Sequence, residues 1–342
     1  MRKILSLIIP TYNMELYLGQ CLDSLIVPKE ELDLLEVLVI NDGSKDSSSY
    51  IAHKYETEYP ETFRVIDKEN GNYGSCVNRG LLEARGKYVK VLDSDDWFDK
   101  DVLADYIDFL SDKDQDLIIT DYTIRYSDIK TTEHNYPYPS GTNLLMKDLA
   151  GDAPFDKIEM HAVTYKTENL RAIGYKQTEH ISYTDQEWIF WPMTMVKNII
   201  YFNHSLYQYR MGRDGQTVDI KSFLNHFVDV IKVQKNALNT FSSNGSYGEA
   251  KPYLEARIKY RLQFLYNKNT IIVYNNLVNT LITDFDRYLK ERFQDLYDYV
   301  GNQYVLDKYI PIHFVRAWRN NNKILLRLCN VAIKLVRAAK NK

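Results

Sequence analysis

Gly86-Lys87-Tyr88-Val89-Lys90-Val91-Leu92-Asp93-Ser94-Asp95-Asp96-Trp97 runs an apolar strand directly into a cluster of carboxylates. The short apolar stretch Tyr88–Leu92 predicts a strand covered on both faces. Asp93 and Asp95 are separated by one residue, so in an extended segment both side chains point to one side. Their oxygens there suit a hard divalent cation, Mn²⁺ or Mg²⁺, and such an ion would bridge naturally to a diphosphate. An acidic cluster in this place can also cap the helix that begins near Lys100, a part for which Asp96 is suited.

Upstream, strand and helix signals alternate. Ile4–Ile9 is a nearly continuous apolar run, Val37–Ile40 reads as a second strand and Phe63–Ile66 as a third. Between them Leu18, Cys21, Leu22, Leu25 and Ile26 share one helical face, and Ile51, Tyr55 and Tyr59 another. Val77, Leu81 and Ala84 mark a helix after a Gly71–Gly74 loop. This alternation predicts an α/β fold with a mainly parallel sheet and right-handed crossovers. Ligands of such sheets sit at the carboxyl ends of the strands. Three polar clusters fall there: Thr11-Tyr12-Asn13, Asn41-Asp42-Gly43-Ser44 and Asp93-Ser94-Asp95-Asp96. No Gly-x-Gly-x-x-Gly and no P-loop are present, which weighs against dinucleotide binding and phosphoryl transfer.

Further along, 127–145 reads as an irregular excursion, and after about residue 220 helical periodicity replaces strand signals. Phe241–Gly248, rich in Ser, Asn and Gly, reads as a loop. The expected division is a catalytic domain over 1–215 and a helical C-terminal domain over 216–342.

Several motifs together resemble the family 2 glycosyltransferases of the GT-A fold: Ser6–Asn13, Val39–Ser44, Asn70-Gly71 through Asn78-Arg79-Gly80, and Gly86–Trp97, in order and spacing over roughly the first hundred residues. The resemblance implies a nucleotide-sugar donor and transfer of a hexose or N-acetylhexosamine to an acceptor hydroxyl with inversion. It implies that Pro10, Thr11, Tyr12 and Asp42 line the nucleoside pocket, Asp42 accepting from the base. The motif positions Asn78 and Ser94 are further donor-binding candidates, and Asp93 and Asp95 are the implied metal pair. The family's catalytic base falls on Asp185 in Tyr183-Thr184-Asp185-Gln186-Glu187-Trp188, with Glu187 as rival and Thr184 where a first acid is usual. Val77 stands where many relatives carry an arginine. Tyr207 through Gln216 resembles the segment closing the catalytic domain, and its Arg210 and Arg213 are candidates to neutralise the diphosphate; a salt-bridge role is the alternative for each. Tyr183 and Trp188 are candidates for an acceptor platform, with a core position the alternative for Trp188. An imide N–H paired with Asp42 favours a UDP-sugar, with dTDP-sugars second.

The bulk properties agree with such an enzyme. The 342 residues carry a formal net charge of −3, so the chain as a whole is no polyanion binder and no nucleic-acid partner is expected. Cys21, Cys76 and Cys329 are scattered and odd in number, which argues for reduced thiols in a cytoplasmic setting. The apolar start reads as a first strand instead of a signal peptide, and no run reaches the ~18 apolar residues of a membrane span. From Ile312 to Lys342 there are eight Lys or Arg and no Asp or Glu. Lys323, Arg327, Lys334 and Arg337 form one stripe, and Ile324, Leu325, Leu328, Ala332, Leu335 and Val336 another. A basic amphipathic helix of this kind suits the anionic inner face of a membrane, where a lipid-linked acceptor would be met. Packing on the protein itself is the alternative. The expected role is in bacterial surface polysaccharide or glycan assembly. The rival readings are a catalytically silent carbohydrate-binding module and a sugar-nucleotide pyrophosphorylase.

Overall fold

The computed structural model describes residues 2–126, 130–213, 216, 220–243, 247–272, 276–303, 313–322, 324–326, 328 and 331. β1 (Leu5–Thr11), β2 (Leu35–Asn41), β3 (Phe63–Asp67) and β4 (Tyr88–Val91) run parallel in the order β3-β2-β1-β4. Every residue of β1, β2 and β4 is buried, as expected for strands covered on both faces. The sheet continues into a mixed half. Beyond β5 (Trp97–Phe98), β6 (Leu117–Arg125), β7 (Thr131–His134) and β8 (Asn143–Leu145) lies β9 (Val163–Lys166), which wedges antiparallel between β4 and β6. β10 (Asn198–Arg210) then pairs parallel with β6 and antiparallel with β5 and β8. Its register against β6 shifts twice between Phe202 and Tyr207, and those irregularities bend the strand so that Tyr207 and Arg210 reach the tip of β4.

The helix Asn72–Glu83 lies against β1, where Gly80 permits the approach, while Gly74 admits the 177–178 segment. A Cβ on Gly80 would stand 2.5 Å from the Ile8 side chain, and one on Gly74 would stand 2.2 Å from the Thr178 carbonyl oxygen. Gly74 sits inside this helix, so the expected loop ends at Gly71; Asn72, the first residue, takes a left-handed φ of 63°. At the amino ends of the parallel strands, buried Glu36 accepts from Ser6, from the Arg85 backbone N–H and from Arg64.

One buried group in β4 stands out. Lys90 is fully buried, and its Nζ donates to the carbonyls of His161 at 2.7 Å and Val163 at 3.1 Å. It also stands 5.9 Å from the Tyr207 ring centroid. Burial lowers its pKa to about 7.

Two compact units are present: Met1–Ser222 with Asn244–Tyr253, and Phe223–Ser243 with Leu254–Lys342. The second is helical where described, with helices at Phe227–Ser243, Asn276–Arg292, Gln294–Gly301 and Phe314–Arg319. Its described core includes an ion pair of Arg319 with Asp286 at 2.7 Å, the guanidinium lying 3.4 Å over the Tyr297 ring, while Tyr266 donates to the same carboxylate. Lys323, Arg327, Lys334 and Arg337 of the basic tail lie outside the described residues. Of its apolar stripe, Ile324 and Leu328 are helical and exposed, Leu325 is half-buried, and Ala332, Leu335 and Val336 lie outside the described residues; Val331, outside that stripe, is also exposed. Among the described residues no helix is long and apolar enough to cross a membrane. Cys21 and Cys76 are buried free thiols, and Cys329 lies outside the described residues.

Candidate active site

The three polar tips meet at one edge of the sheet. The first two are laced together: the backbone N–H of Asn13 donates to Ser44 Oγ at 3.0 Å, and Asn13 Oδ1 accepts from the Lys45 backbone at 2.7 Å. Pro10 and Thr11 are buried at the end of β1, while Tyr12 is 46% exposed beside them. Asp42 is buried; its backbone N–H donates to Thr11 O, and its Oδ1 accepts from Lys68 Nζ at 2.6 Å and from the Gly71 backbone at 2.9 Å. The third tip is joined to the first through Ser94, whose hydroxyl donates to the Pro10 carbonyl at 2.8 Å.

Each carboxylate of the third tip has its own partners. Asp93 Oδ1 accepts from Tyr73 Oη at 2.9 Å, and the Asp93 backbone N–H donates to Tyr207 Oη. Asp96 is buried, accepting from Tyr207 Oη at 2.7 Å and from the Arg210 backbone at 2.7 Å. The helix cap expected of Asp96 belongs to Asp99, whose Oδ1 accepts from Val102 N; the short β5 between them moves the helix start away from Asp96. Asp95 Oδ2 accepts from Arg213 Nε at 2.5 Å, and its carbonyl accepts from Arg210 Nε at 2.9 Å. Arg210 lies between the rings of Tyr17 and Trp97, 5.1 and 4.8 Å from their centroids.

Burial and the neighbouring Asp95 carboxylate push Asp93 up to about 7, with Asp185 adding to the rise and the Tyr73 hydrogen bond opposing it. Burial, Asp95 and Asp93 together raise Asp96. Hard oxygen donors crowded until they resist ionisation fit a divalent cation, which would relieve that repulsion. Asp93 and Asp95 each keep one carboxylate oxygen outside these hydrogen bonds. Among the described residues no group of three or more His, Cys, Asp or Glu forms a metal cage.

Asp185 opens the short helix Asp185–Trp188 and is half-buried, close enough that its charge bears on Asp93. Its neighbour Tyr183 holds a left-handed φ of 66°, a strained setting for a residue with a side chain. Glu187 is buried and committed, both its oxygens accepting from Thr178, one from the backbone and one from the hydroxyl, each at 2.7 Å. Trp188 is a core residue, edge-on to Tyr165 and Tyr175, so it offers no acceptor platform. Asn78 does not face the strand tips with a free amide. It holds the Gln177 backbone in both directions and Glu179 Oε1, while His180 N donates to the Gly71 carbonyl.

The sequence reading missed Tyr73, Tyr207, Lys68 and Tyr17, all of which act here on the expected residues. Tyr73 and Tyr207 lay in quoted motifs, but nothing local told their hydroxyls from core rings.

A mixed α/β sheet with a polar edge built from the ends of β1, β2 and β4 is the GT-A type of architecture. The sequence profile described as Glycosyl transferase family 2 matches residues 6–169. Residues 6–169 thus have the sequence of a glycosyltransferase family 2 domain. The chain is 29% identical over 238 residues to the "Uncharacterized glycosyltransferase MG060 homolog" of Mycoplasma pneumoniae, covering 68% of this chain and 77% of that protein. It is 26% identical to the "Minor teichoic acid biosynthesis protein GgaB" of Bacillus subtilis over 70% of this chain, a match spanning 26% of GgaB. The crystal structure of S. aureus TarS 1-349 in complex with UDP-GlcNAc superposes with a TM-score of 0.66 at 21% identity, covering 86% of this chain and 83% of that one.

Proposed function

We propose that the chain transfers a hexose or N-acetylhexosamine from a UDP-sugar to an acceptor hydroxyl with inversion at the anomeric carbon. One observation carries the reading. Asp42, the pair Asp93 and Asp95, Arg213 and Asp185 converge on a single sheet edge, with Asp185 near enough to perturb Asp93. Asp42 with Pro10, Thr11 and Tyr12 would hold the base of the donor, and a pyrimidine imide N–H is the donor group that a carboxylate there selects. Asp93 and Asp95 would hold Mn²⁺ or Mg²⁺, which supplies charge to offset the departing diphosphate. Arg213 and Arg210 stand beside that position as further positive charge.

Asp185 takes the proton of the acceptor hydroxyl as its oxygen attacks the anomeric carbon, and UDP departs from the opposite face. Glu187 is spent on Thr178, which favours Asp185 as the base. The teichoic-acid relative and the UDP-GlcNAc in the similar structure support a bacterial surface glycan as product and a glycan or lipid-linked acceptor. The exposed line of Ile324, Leu328 and Val331 supports docking of the C-terminal helix on the inner membrane face. A screen of nucleotide-sugars with Mn²⁺, reading released nucleoside diphosphate, tests the reading. Release from UDP-sugars is expected; turnover confined to GDP-sugars, or none with any donor, overturns it.

A further inference from the structure

At the opposite end of the sheet from the strand tips is a cup of about 290 Å³. It lies where β1 and β4 begin and antiparallel β9 ends, Tyr88 pairing with Lys166. Along β4 this is five residues from Asp93, or about 16 Å. Arg2, Arg85, Lys87, Lys166 and Arg171 line it. Against these five cations stand two carboxylates, Asp114 and Glu168, an excess of three positive charges in a chain whose total is −3. Overall composition therefore does not explain the concentration.

The carboxylates do not neutralise it. Asp114 is shared between Lys87 at 3.3 Å and Lys166 at 3.0 Å, and Glu168 pairs with Lys166 as well. Both acids lie at the solvent side, 76% and 70% exposed. Arg171 is turned onto carbonyls, donating to Leu81 O at 3.0 Å and Ala84 O at 2.5 Å. Arg85 is fixed through its backbone on buried Glu36, while its guanidinium stays 3.8 Å from that acid and 66% exposed. Among the described residues Arg2 has no ion pair. The frame is rigid: Thr167 donates to the Gly86 carbonyl, and a Cβ on Gly86 would stand 2.5 Å from Ser6 N.

We infer that this cup is an anion site for a phosphate mono- or diester group, separate from the donor site. Guanidinium and ammonium donors reaching it from the chain start, the turn before β4, the end of β9 and the helix Thr167–Ala172 can surround a tetrahedral oxyanion. Its excess of three positive charges outweighs the one or two negative charges of such a group, so the cup stays attractive with the ligand bound.

Titrating the full chain calorimetrically with inorganic phosphate, without divalent cation, tests this. Saturable binding is expected; it should weaken about tenfold in Arg85→Ser and in Lys87→Ser. It should tighten roughly threefold in Glu168→Gln, which removes a competing exposed charge. Arg85 and Glu168 are exposed, so those variants keep the fold. Donor turnover should be unchanged in both. No saturable binding, or affinities indifferent to all three substitutions, overturns the site. Two further arms separate its sources. Phosphatidylglycerol vesicles whose capture of the protein falls in Arg85→Ser indicate a lipid headgroup. A soluble glycerol phosphate that binds and shows the same loss, with vesicle capture unaffected, indicates a phosphate-bearing glycan. Failure of every arm overturns the proposal and leaves the donor reading untouched.

Discussion

Arg213 donates its Nε–H to the Asp95 carboxylate across 2.5 Å, so a residue expected on the diphosphate stands on a residue expected on the cation. A guanidinium held on that carboxylate opposes a cation on the same group through like charge. Removing Arg213 should therefore ease metal binding while weakening chemistry. Arg213→Met is expected to lower the Mn²⁺ concentration for half-maximal activity by roughly threefold, the worth of about 0.6 kcal/mol for such a pair, and to lower kcat. Asp95→Ala should abolish transfer with the fold retained. A metal requirement unmoved by Arg213→Met shows that the pair does not compete with the ion.

Asp185 and Glu187 should respond to the same change in different ways. Asp185→Asn keeps shape and removes the proton acceptor, so turnover should fall about 10²-fold or more while donor binding persists. Glu187→Gln sets an amide group against one of the Thr178 donors. It should cost about 1–3 kcal/mol of stability, read by urea unfolding, with turnover per folded molecule largely kept. The reverse pattern assigns the base to Glu187.

Tyr73 gives the site a pH signature. Asp93 must be ionised to bind a cation, and burial with Asp95 holds it near 7, with the Tyr73 hydroxyl drawing it down. Metal affinity should thus rise with pH through neutrality and fall on acidification. Tyr73→Phe removes a stabiliser of the ionised form, so the acid limb of Mn²⁺ binding should move to higher pH. An acid limb that stays in place refutes the coupling.

Lys90 should make stability depend on pH in the opposite range from an acidic group. Its folded pKa of about 7 lies below the ordinary 10.5, so between those values the unfolded chain binds the extra proton. Stability from this group therefore rises with pH across that window, by up to about 1.4 kcal/mol per unit. The difference in unfolding free energy between wild type and Lys90→Met should grow in favour of wild type from pH 7 to 9. A flat difference means that Lys90 keeps its proton inside the sheet, with no lowered pKa.

Deleting residues 320–342 removes Lys323, Arg327, Lys334, Arg337, Lys340 and Lys342, six positive charges. Each is worth about 1 kcal/mol near an anionic surface. Sedimentation with anionic vesicles should be lost, most clearly at low salt, while a soluble acceptor mimic is still glycosylated. Unfolding of the truncated chain instead assigns the apolar stripe to packing within the protein.

The parallel half of the sheet and the positions of its polar tips were legible because unbroken apolar runs end in Asp, Asn and Ser. Local pattern could not show that β9 enters antiparallel beside β4, since Val163–Lys166 is four residues long and pairs across more than seventy positions. The same separation hid Tyr207, which is bonded to Asp96 from 111 residues away. Asp99 and Asp96 are equivalent as caps in sequence; the two residues of β5 decide between them. Trp188 was ambiguous because a ring in a four-residue helix has no periodicity to place it.

The segment carrying Asp185 takes its position from the helix Asn72–Glu83, through Asn78 and the contact that Gly74 permits. That helix also carries Tyr73 and thereby touches Asp93. The segment of Asp185 and the hydroxyl that bonds Asp93 are consequently indexed to one common ruler. A shift of that helix along β1 would therefore carry both together.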